Sequence, residues 1–341
     1  EICVSSLSEL GELSGKELSK LDPHRPFVDD IKFKCKECSS VMERTPEVID
    51  CWYDSGAMPF AQWGYPHQEN SEKEFKAAYP ADFICEAIDQ TRGWFYTLMT
   101  IGTLVFDKSS YKTVLCLGHI LDKDGRKMSK HLGNVLEPIP LMNQHGADAV
   151  RWYMLAAGSP WSARRVGHDA ISDVVRKTLL TYWNTISFFT LYANAADFKV
   201  TTLSKDLTLM DRWILSELNK LIEGVDTALE GFDSQSAGAL LAAFIDDLSN
   251  WYVRRSRRRF WDGDPVALNT LYFCLKNLTL LLAPMVPFIS EHVWQKLVKS
   301  CEVDQIESVH LANFPKFDKG MIDEKLSTSV ALSRRLVELG R

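Results

Sequence analysis

Beyond Asp169 the chain reads as helix and almost nothing else, and this constrains the fold more than any other feature. Apolar periodicity marks segments over Ile171 to Ala195, Thr208 to Leu229, Asp233 to Trp261, Pro265 to Ala283 and Pro287 to Lys299. In the second, Met210, Trp213, Ile214, Leu218, Leu221, Ile222, Val225 and Leu229 fall on one stripe at the helical period. Asp233 or Ser234 suits the cap of the third, and Pro265 and Pro287 suit first-turn positions. Such lengths joined by short connections predict a helix bundle.

The chain before Gly158-Ser159-Pro160 follows different rules. Its first 80 residues read as loops and short strands, with Ile31-Lys32-Phe33 leading to Cys35-Lys36-Glu37-Cys38. Pro46 to Trp52 reads as a strand followed by an Asp54-Ser55-Gly56 turn. Asp82-Phe83-Ile84-Cys85 is a short apolar strand, and Gln90 to Val105 a helix with Trp94, Phe95, Leu98 and Ile101 on one face. Thr113 to Leu117 is a second buried strand, followed by a basic loop from Gly118 to Asn134 and a helix from Gly146 to Ala157. Strand, helix, strand, loop, helix predicts part of a parallel α/β sheet. The expected fold class is therefore α/β followed by an all-α bundle, with the boundary near 160–168.

A length of 341 residues accommodates two domains. With 46% apolar and 25% charged residues, global disorder and a disulfide-stapled miniprotein are both excluded. The net charge of −6 argues against a wholesale nucleic-acid coat. Residues 1–150 hold 16 Lys/Arg against 23 Asp/Glu, however, and the remainder 23 against 22, so the near-neutral half can contain one basic stripe. Eight cysteines at low density, without a signal peptide, are expected to be reduced thiols in the cytoplasm. The richest apolar run, Leu278 to Ile289, is broken by Pro284 and Pro287 and falls short of a membrane span. A start without methionine and an end within a helical pattern suggest a piece of a longer protein.

Three patterns carry chemistry. Gly125-Arg126-Lys127-Met128-Ser129-Lys130 follows a buried strand, and ligands of open α/β sheets bind beyond strand carboxyl ends. Two lysines three apart on such a loop can both reach one polyphosphate; the spacing is not that of a P-loop. A solvated basic loop is the plain alternative. Cys35 and Cys38 form one CxxC, half of a tetrahedral zinc site that Cys3 and Cys51, or residues ahead of Glu1, would have to complete. Finally, Arg254, Arg255, Arg257, Arg258 and Arg259 crowd one helix, anchored on its apolar side by Trp251, Phe260 and Trp261. Guanidinium groups suit phosphates and splayed bases, whereas internal pairing with Asp246, Asp247 and Asp262 would be structural.

Lys127-Met128-Ser129-Lys130 resembles the KMSKS signature of class I aminoacyl-tRNA synthetases, with His131 in the fifth position. The blocks Val48 to Gly56, Glu86 to Phe95 and Ser249 to Trp261 (SNWYVRRSRRRFW) look like those of the isoleucyl-tRNA synthetase family, in family order and across the whole chain. The valyl family is the near relative, and a stand-alone, non-catalytic tRNA-binding module the competing class. The resemblance implies that Lys127, Met128, Ser129 and Lys130 bind ATP, the two lysines stabilising charge as pyrophosphate leaves. It implies that Glu86, Asp89 and Gln90 bind the aminoacyl-adenylate, and that Trp52 and Trp94 surround the isoleucine side chain. Ordinary helix N-terminal acids and core tryptophans are the structural alternatives. Ala87 stands where many relatives have glycine. Trp251 and the five arginines would contact tRNA.

The implied partners are isoleucine, ATP and the isoleucine tRNA, with no membrane and a monomeric parent; the implied cofactors are ATP and Mg²⁺, with Zn²⁺ at the CxxC. The implied divisions are 1–50, the return segment of an editing insertion; 51–165, the second half of a Rossmann catalytic domain; 166–320, the anticodon-binding bundle; and 321–341, the start of a connecting helix. Gly118-His119-Ile120-Leu121 lies in the wrong half to be the HIGH motif of such enzymes. The chain alone is therefore expected to bind tRNA and part of the adenylate site without being catalytically competent.

Overall fold

The structure, a computed structural model, describes residues 1–302 and 306–340. It divides into two compact units: Glu1–Ala81 with Thr91–Lys112, and Asp82–Gln90 with everything from Thr113 onward.

In the first unit, α1 (Leu7–Ser14) is capped by Ser6, whose hydroxyl accepts the Glu9 N–H, and closes on left-handed Gly15. β1 (Phe33–Lys34) and β2 (Val41–Met42) form an antiparallel hairpin in the register Phe33↔Met42, and the CxxC occupies its turn. The expected strand over Pro46 to Trp52 is absent. Asp50 instead accepts the Trp52 N–H and caps α2 (Cys51–Ala61), so the expected Asp54-Ser55-Gly56 turn is helical. Gly56 is a packing residue: a Cβ there would lie 2.6 Å from Ile101 Cδ1 and 2.8 Å from the Thr97 carbonyl oxygen. It lets α2 rest directly on α4 (Trp94–Phe106). This helix begins four residues later than the periodicity predicts, because Gly93 (φ −145°, ψ −115°) breaks the chain direction after a 3₁₀ turn over Ile88–Arg92. Between α2 and α4 in sequence lies α3 (Ser71–Ala78). Its Phe75 stacks on Tyr65 and meets Tyr79 and Phe106, giving the unit a small aromatic core.

The second unit contains most of β3 (Ala81–Ala87) and β4 (Tyr111–Leu117), which form a two-stranded sheet. β5 (Ile120–Leu121) is followed by the basic loop, α5 (Pro138–His145) and α6 (Ala147–Ala156). β6 (Arg164–Arg165) then returns parallel to β5, with Ile120 opposite Arg164. The strands thus stand in two-stranded pieces, of which β5–β6 has the expected parallel pairing. Arg164, although buried, is spent on the carbonyls of Tyr153, Met154 and Gly158, closing the C-terminal end of α6.

The helical segments follow the periodicity closely. α7 (His168–Val174) runs through a π-turn into α8 (Leu180–Ala195), three residues ahead of the expected start at Ile171. α9 (Leu209–Glu230) opens on a capping box in which Thr208 and Asp211 bond reciprocally. α10 (Ser234–Asp246), capped by Asp233, passes through a π-turn over Asp247–Val253 into α11 (Arg254–Trp261). α12 (Pro265–Leu282) is apolar along its 18 residues, yet most of them are buried inside the bundle. α13 (Pro287–Val293) continues by another π-turn into α14 (Lys299–Cys301), and α15 (Glu324–Leu339) packs on α9. Ile214, Leu218, Leu241, Leu275 and Leu278 lie at the centre, fully shielded from water.

Candidate functional site

The basic loop is held by one short frame of hydrogen bonds. β5 carries Asp122 in at its end, 5% exposed. The Asp122 carboxylate accepts the backbone N–H groups of Asp124 (3.0 Å) and Arg126 (2.7 Å) on Oδ1, and the Asn134 amide (2.8 Å) on Oδ2. Gly125, at φ +82°, lets the chain turn within this grip. Asn134 in turn donates to the Lys127 carbonyl (3.2 Å) and accepts the Ser129 N–H (2.9 Å). Ser129 caps the short 3₁₀ turn Lys130–Leu132 through the Leu132 N–H, and left-handed Gly133 ends it. Met128 packs against the bundle core, whereas Lys127 and Lys130 on either side of it are exposed. The Asn134 amide, then the Arg126 N–H, hold the Asp122 carboxyl below its ordinary value, so it is ionised at neutral pH. A cavity of about 690 Å³ opens beside the loop, lined among others by Asp122, Arg126, Asn134, Tyr153, Arg165 and His168.

Sequence reasoning misses both Asp122 and Asn134. Their only signals are Asp122-Lys123-Asp124-Gly125 and Gly133-Asn134, both turn signatures.

Glu86 lies exposed near the end of β3; Asp89 and Gln90 follow in the 3₁₀ turn, where the Gln90 amide donates to Asp89 at 3.2 Å. Because α4 starts only at Trp94, neither acid lies in its first turn; Glu86 belongs to β3, and Asp89 to the first turn of the short 3₁₀ segment. The two tryptophans belong to the first unit. Trp52 is 41% exposed on α2, and Trp94 is half-buried with its indole N–H on the Ser55 carbonyl at 3.1 Å. Neither is a fully buried core residue.

The CxxC turn is pre-shaped. The Cys35 N–H donates to the Ser40 carbonyl (2.8 Å) and the Ser39 N–H to the Cys35 carbonyl (2.9 Å). Hydrogen bonding from Ser40, and then from Cys35, lowers the Cys38 thiol from its usual range. Zinc takes four such donors. Among the described residues no third His, Cys, Asp or Glu converges on the pair, and neither Cys3 nor Cys51 completes it. The donor set present does not fit a structural zinc site by itself.

The arginine helix divides its five guanidinium groups. Arg254, Arg255, Arg257 and Arg258 are exposed, and Arg255 lies 4.6 Å above the Trp251 ring. Arg258 reaches Asp262 only at 3.9 Å. Arg259 turns inward to Asp211 (2.8 Å) and Asp264 (2.7 Å). Asp211 is fully buried and also accepts from Tyr252 and Thr208. Burial alone would raise its carboxyl; the bonds from Arg259, Thr208 and Tyr252 outweigh this and hold it low. Burial, with Asp211 adding to it, pushes the Tyr252 hydroxyl well up. The expected internal partners Asp246 and Asp247 are instead engaged by Arg334 of α15, which also lies 5.5 Å from the Trp251 ring. Trp261, expected to anchor the apolar side, is 75% exposed; Phe260 does that work at 1%.

Comparison with known proteins agrees with these two regions. Residues 1–165 match the family described as tRNA synthetases class I (I, L, M and V), and residues 211–341 the anticodon-binding domain of tRNA ligase. The chain is 61% identical over 344 residues to an isoleucine–tRNA ligase of Streptomyces avermitilis, covering 99% of this chain and 33% of that protein. It is 61% identical to the one of Thermobifida fusca (100% and 33%) and 47% to one of Dehalococcoides mccartyi (99% and 34%). The chain thus spans about one third of the length of the curated relatives it matches. Among solved structures, the LeuRS of Agrobacterium radiobacter, in a ternary complex with tRNA and LeuAMS, matches at TM-score 0.64 and 20% identity over 86% of this chain and 36% of that one. The methionyl-tRNA synthetase of Mycobacterium tuberculosis, in complex with methionyl-adenylate, matches at 0.62 and 17%, over 84% and 58%. An exposed lysine pair on a framed loop, an arginine helix on a bundle and this level of identity converge: the chain belongs to the class I tRNA synthetase family, in its isoleucine–tRNA ligase branch.

Proposed function

We propose that this chain supplies the KMSK part of the catalytic site and the anticodon-binding bundle of an enzyme that activates isoleucine with ATP and transfers it to the isoleucine tRNA. In the first step a carboxylate oxygen of isoleucine attacks the α-phosphorus of ATP, forming isoleucyl-adenylate as pyrophosphate leaves. Lys127 and Lys130 are the groups for the charge that develops on the departing phosphates, a charge that Mg²⁺ would help to neutralise when bound with ATP. The observation that carries this reading is their presentation: both lysines are exposed, on either side of a half-buried Met128 that packs against the core. Cations brought to where negative charge develops stabilise a transition state more than the ground state.

Glu86, Asp89 and Gln90 serve the ammonium and ribose of the adenylate, their acidic and amide groups standing at a strand end. Trp52 and Trp94 provide an aromatic wall for the branched side chain. Such a wall discriminates against one missing methylene by only about 1–3 kcal/mol. On the bundle, Arg254, Arg255, Arg257, Arg258 and Trp251 meet tRNA phosphates and bases, while Arg259 braces the helix from within. We assign residues 51–165 to the second half of a Rossmann catalytic domain, 166–320 to the anticodon-binding domain, 1–50 to the return segment of an editing insertion and 321–341 to a connecting helix. The enzyme is cytoplasmic and monomeric in this reading, and the 341 residues alone bind tRNA without completing activation. The test is ATP–pyrophosphate exchange by the full-length protein. Exchange that depends on isoleucine and is at least about tenfold weaker with valine is expected; equal exchange with valine would overturn the assignment.

A further inference from the structure

Lys127 and Lys130 can act only if the loop presents them in register, and nothing in their own side chains does this. Half-buried Met128 packs the loop against the bundle core, and Arg126 pairs with Asp124 at 2.7 Å; the rest of its order comes from hydrogen bonds. Those bonds converge on two residues. Asp122 sits at the end of β5, which is tied to the following segment by the Arg164 N–H on the His119 carbonyl (2.8 Å) and the Val166 N–H on the Leu121 carbonyl (2.9 Å). Its carboxylate fixes the loop's incoming arm through the Asp124 and Arg126 amides. Its second oxygen holds Asn134 on the outgoing arm, and Asn134 reaches back to the backbone of Lys127 and Ser129, bracketing Met128.

We propose that Asp122 and Asn134 are the positioning residues of this loop: a charged clamp across its two arms that sets where the Lys127 and Lys130 ammonium groups stand. The inference rests on the nucleotide role assigned above and extends it. The chemistry of the pair is directional. Asp122 offers only acceptors, and Asn134 uses both an acceptor and donors. The change Asp122→Asn would keep an acceptor for the Arg126 amide but turn an N–H toward the Asn134 N–H. The change Asn134→Asp would set a second carboxylate against that of Asp122. Exchanging the two residues restores a donor–acceptor link between them, losing only the bond to the Lys127 carbonyl. The bonds to Asn134 and the Arg126 amide keep the Asp122 carboxyl ionised through the neutral range.

The test uses the full-length protein carrying Asp122→Asn, Asn134→Asp, or both. In ATP–pyrophosphate exchange each single change is expected to lower kcat about ten- to a hundredfold, the usual weight of a charge-assisted hydrogen bond. The isoleucine KM should stay within about twofold, and Asn134→Asp should be the more damaging. The double exchange should recover at least a few-fold of the loss, a rescue that general destabilisation of the fold would not give. Hydrogen exchange over peptides spanning residues 122–134 provides a readout independent of activity: protection is lost in the singles and partly regained in the double. Singles that keep wild-type kcat, or a double no better than the worse single, would overturn the clamp. If the wild-type protein shows no isoleucine-dependent exchange, the functional reading fails, while the protection pattern still decides whether the clamp exists.

Discussion

The helical bundle and the basic loop are built around the same device, a buried aspartate that collects hydrogen bonds, but they use it to opposite ends. In the bundle, Asp211 is fully shielded and takes bonds from Arg259, Thr208 and Tyr252 beneath a continuous apolar core. In the loop, Asp122 takes bonds from two backbone amides and Asn134, with a cavity rather than a core beside it. A charge network inside packed helices is locked by the packing around it. The network that carries the loop has beside it, among the described residues, only the packing of half-buried Met128 and the ion pairs of Arg126, so the segment it orders is less protected than the bundle. The first aspartate is for stability and the second for position.

That contrast is open to breakage. The largest effect is expected from Asp211→Ala, which leaves Arg259 without its buried partner. The bundle should lose about 3–5 kcal/mol in denaturant unfolding. Asp122→Asn in the same assay should leave the unfolding midpoint of the bundle unchanged while disordering the loop. A comparable loss from both would erase the distinction.

Gly56→Val comes next. Its side chain would enter the contact of α2 with α4 at Ile101 and Thr97, an overpacking that costs about 1–3 kcal/mol, read as a lowered melting temperature of the first unit.

Titration follows the same division. The Asp211 carboxyl is depressed on folding, so its contribution is fully present above the ordinary aspartate value of 3.8 and is lost as pH falls through the lower folded value. Tyr252 is raised, so its contribution is present below the ordinary tyrosine value of 10 and is lost as pH climbs beyond it. Unfolding free energy measured against pH should therefore fall at both extremes, and Asp211→Asn should flatten the acid limb.

The smallest effect on stability is expected on the outward face of α11. Arg254→Glu or Arg257→Glu should leave the melting curve unchanged, since neither guanidinium makes an ion pair among the described residues. Each should instead weaken tRNA binding and reduce its salt slope by about one for every phosphate that is no longer engaged. The Arg258–Asp262 pair, at 3.9 Å on the surface, adds little to either.

How much of this is legible in the sequence follows from the range of the forces involved. The bundle helices are readable because their signal is local: the stripe from Met210 to Leu229, the Asp233 cap and the first-turn Pro265 each act within one or two turns. The exposure of the loop lysines is readable because two charges three apart on a polar turn stay in water. The α2 helix reads instead as strand and turn because β-branched Val48 and Ile49 and the Asp-Ser-Gly triplet carry strand and turn propensities. A long-range contact, Gly56 against Ile101, overrides them. The inward turn of Arg259 is foreseeable in kind but not in partner. Asp211 lies far off in sequence, and Asp246 and Asp247, nearer at hand, are taken by Arg334 from a helix that only the fold brings there. Asp122 and Asn134 look like ordinary turn residues; only the meeting of their side chains across the loop, at 2.8 Å, gives them a role.

The proposed chemistry rests most directly on the two lysines. In the full-length protein, Lys127→Ala with Lys130→Ala should lower kcat for isoleucine-dependent ATP–pyrophosphate exchange at least about a hundredfold, with the isoleucine KM within about twofold of wild type. Exchange at the wild-type rate in that variant would contradict it.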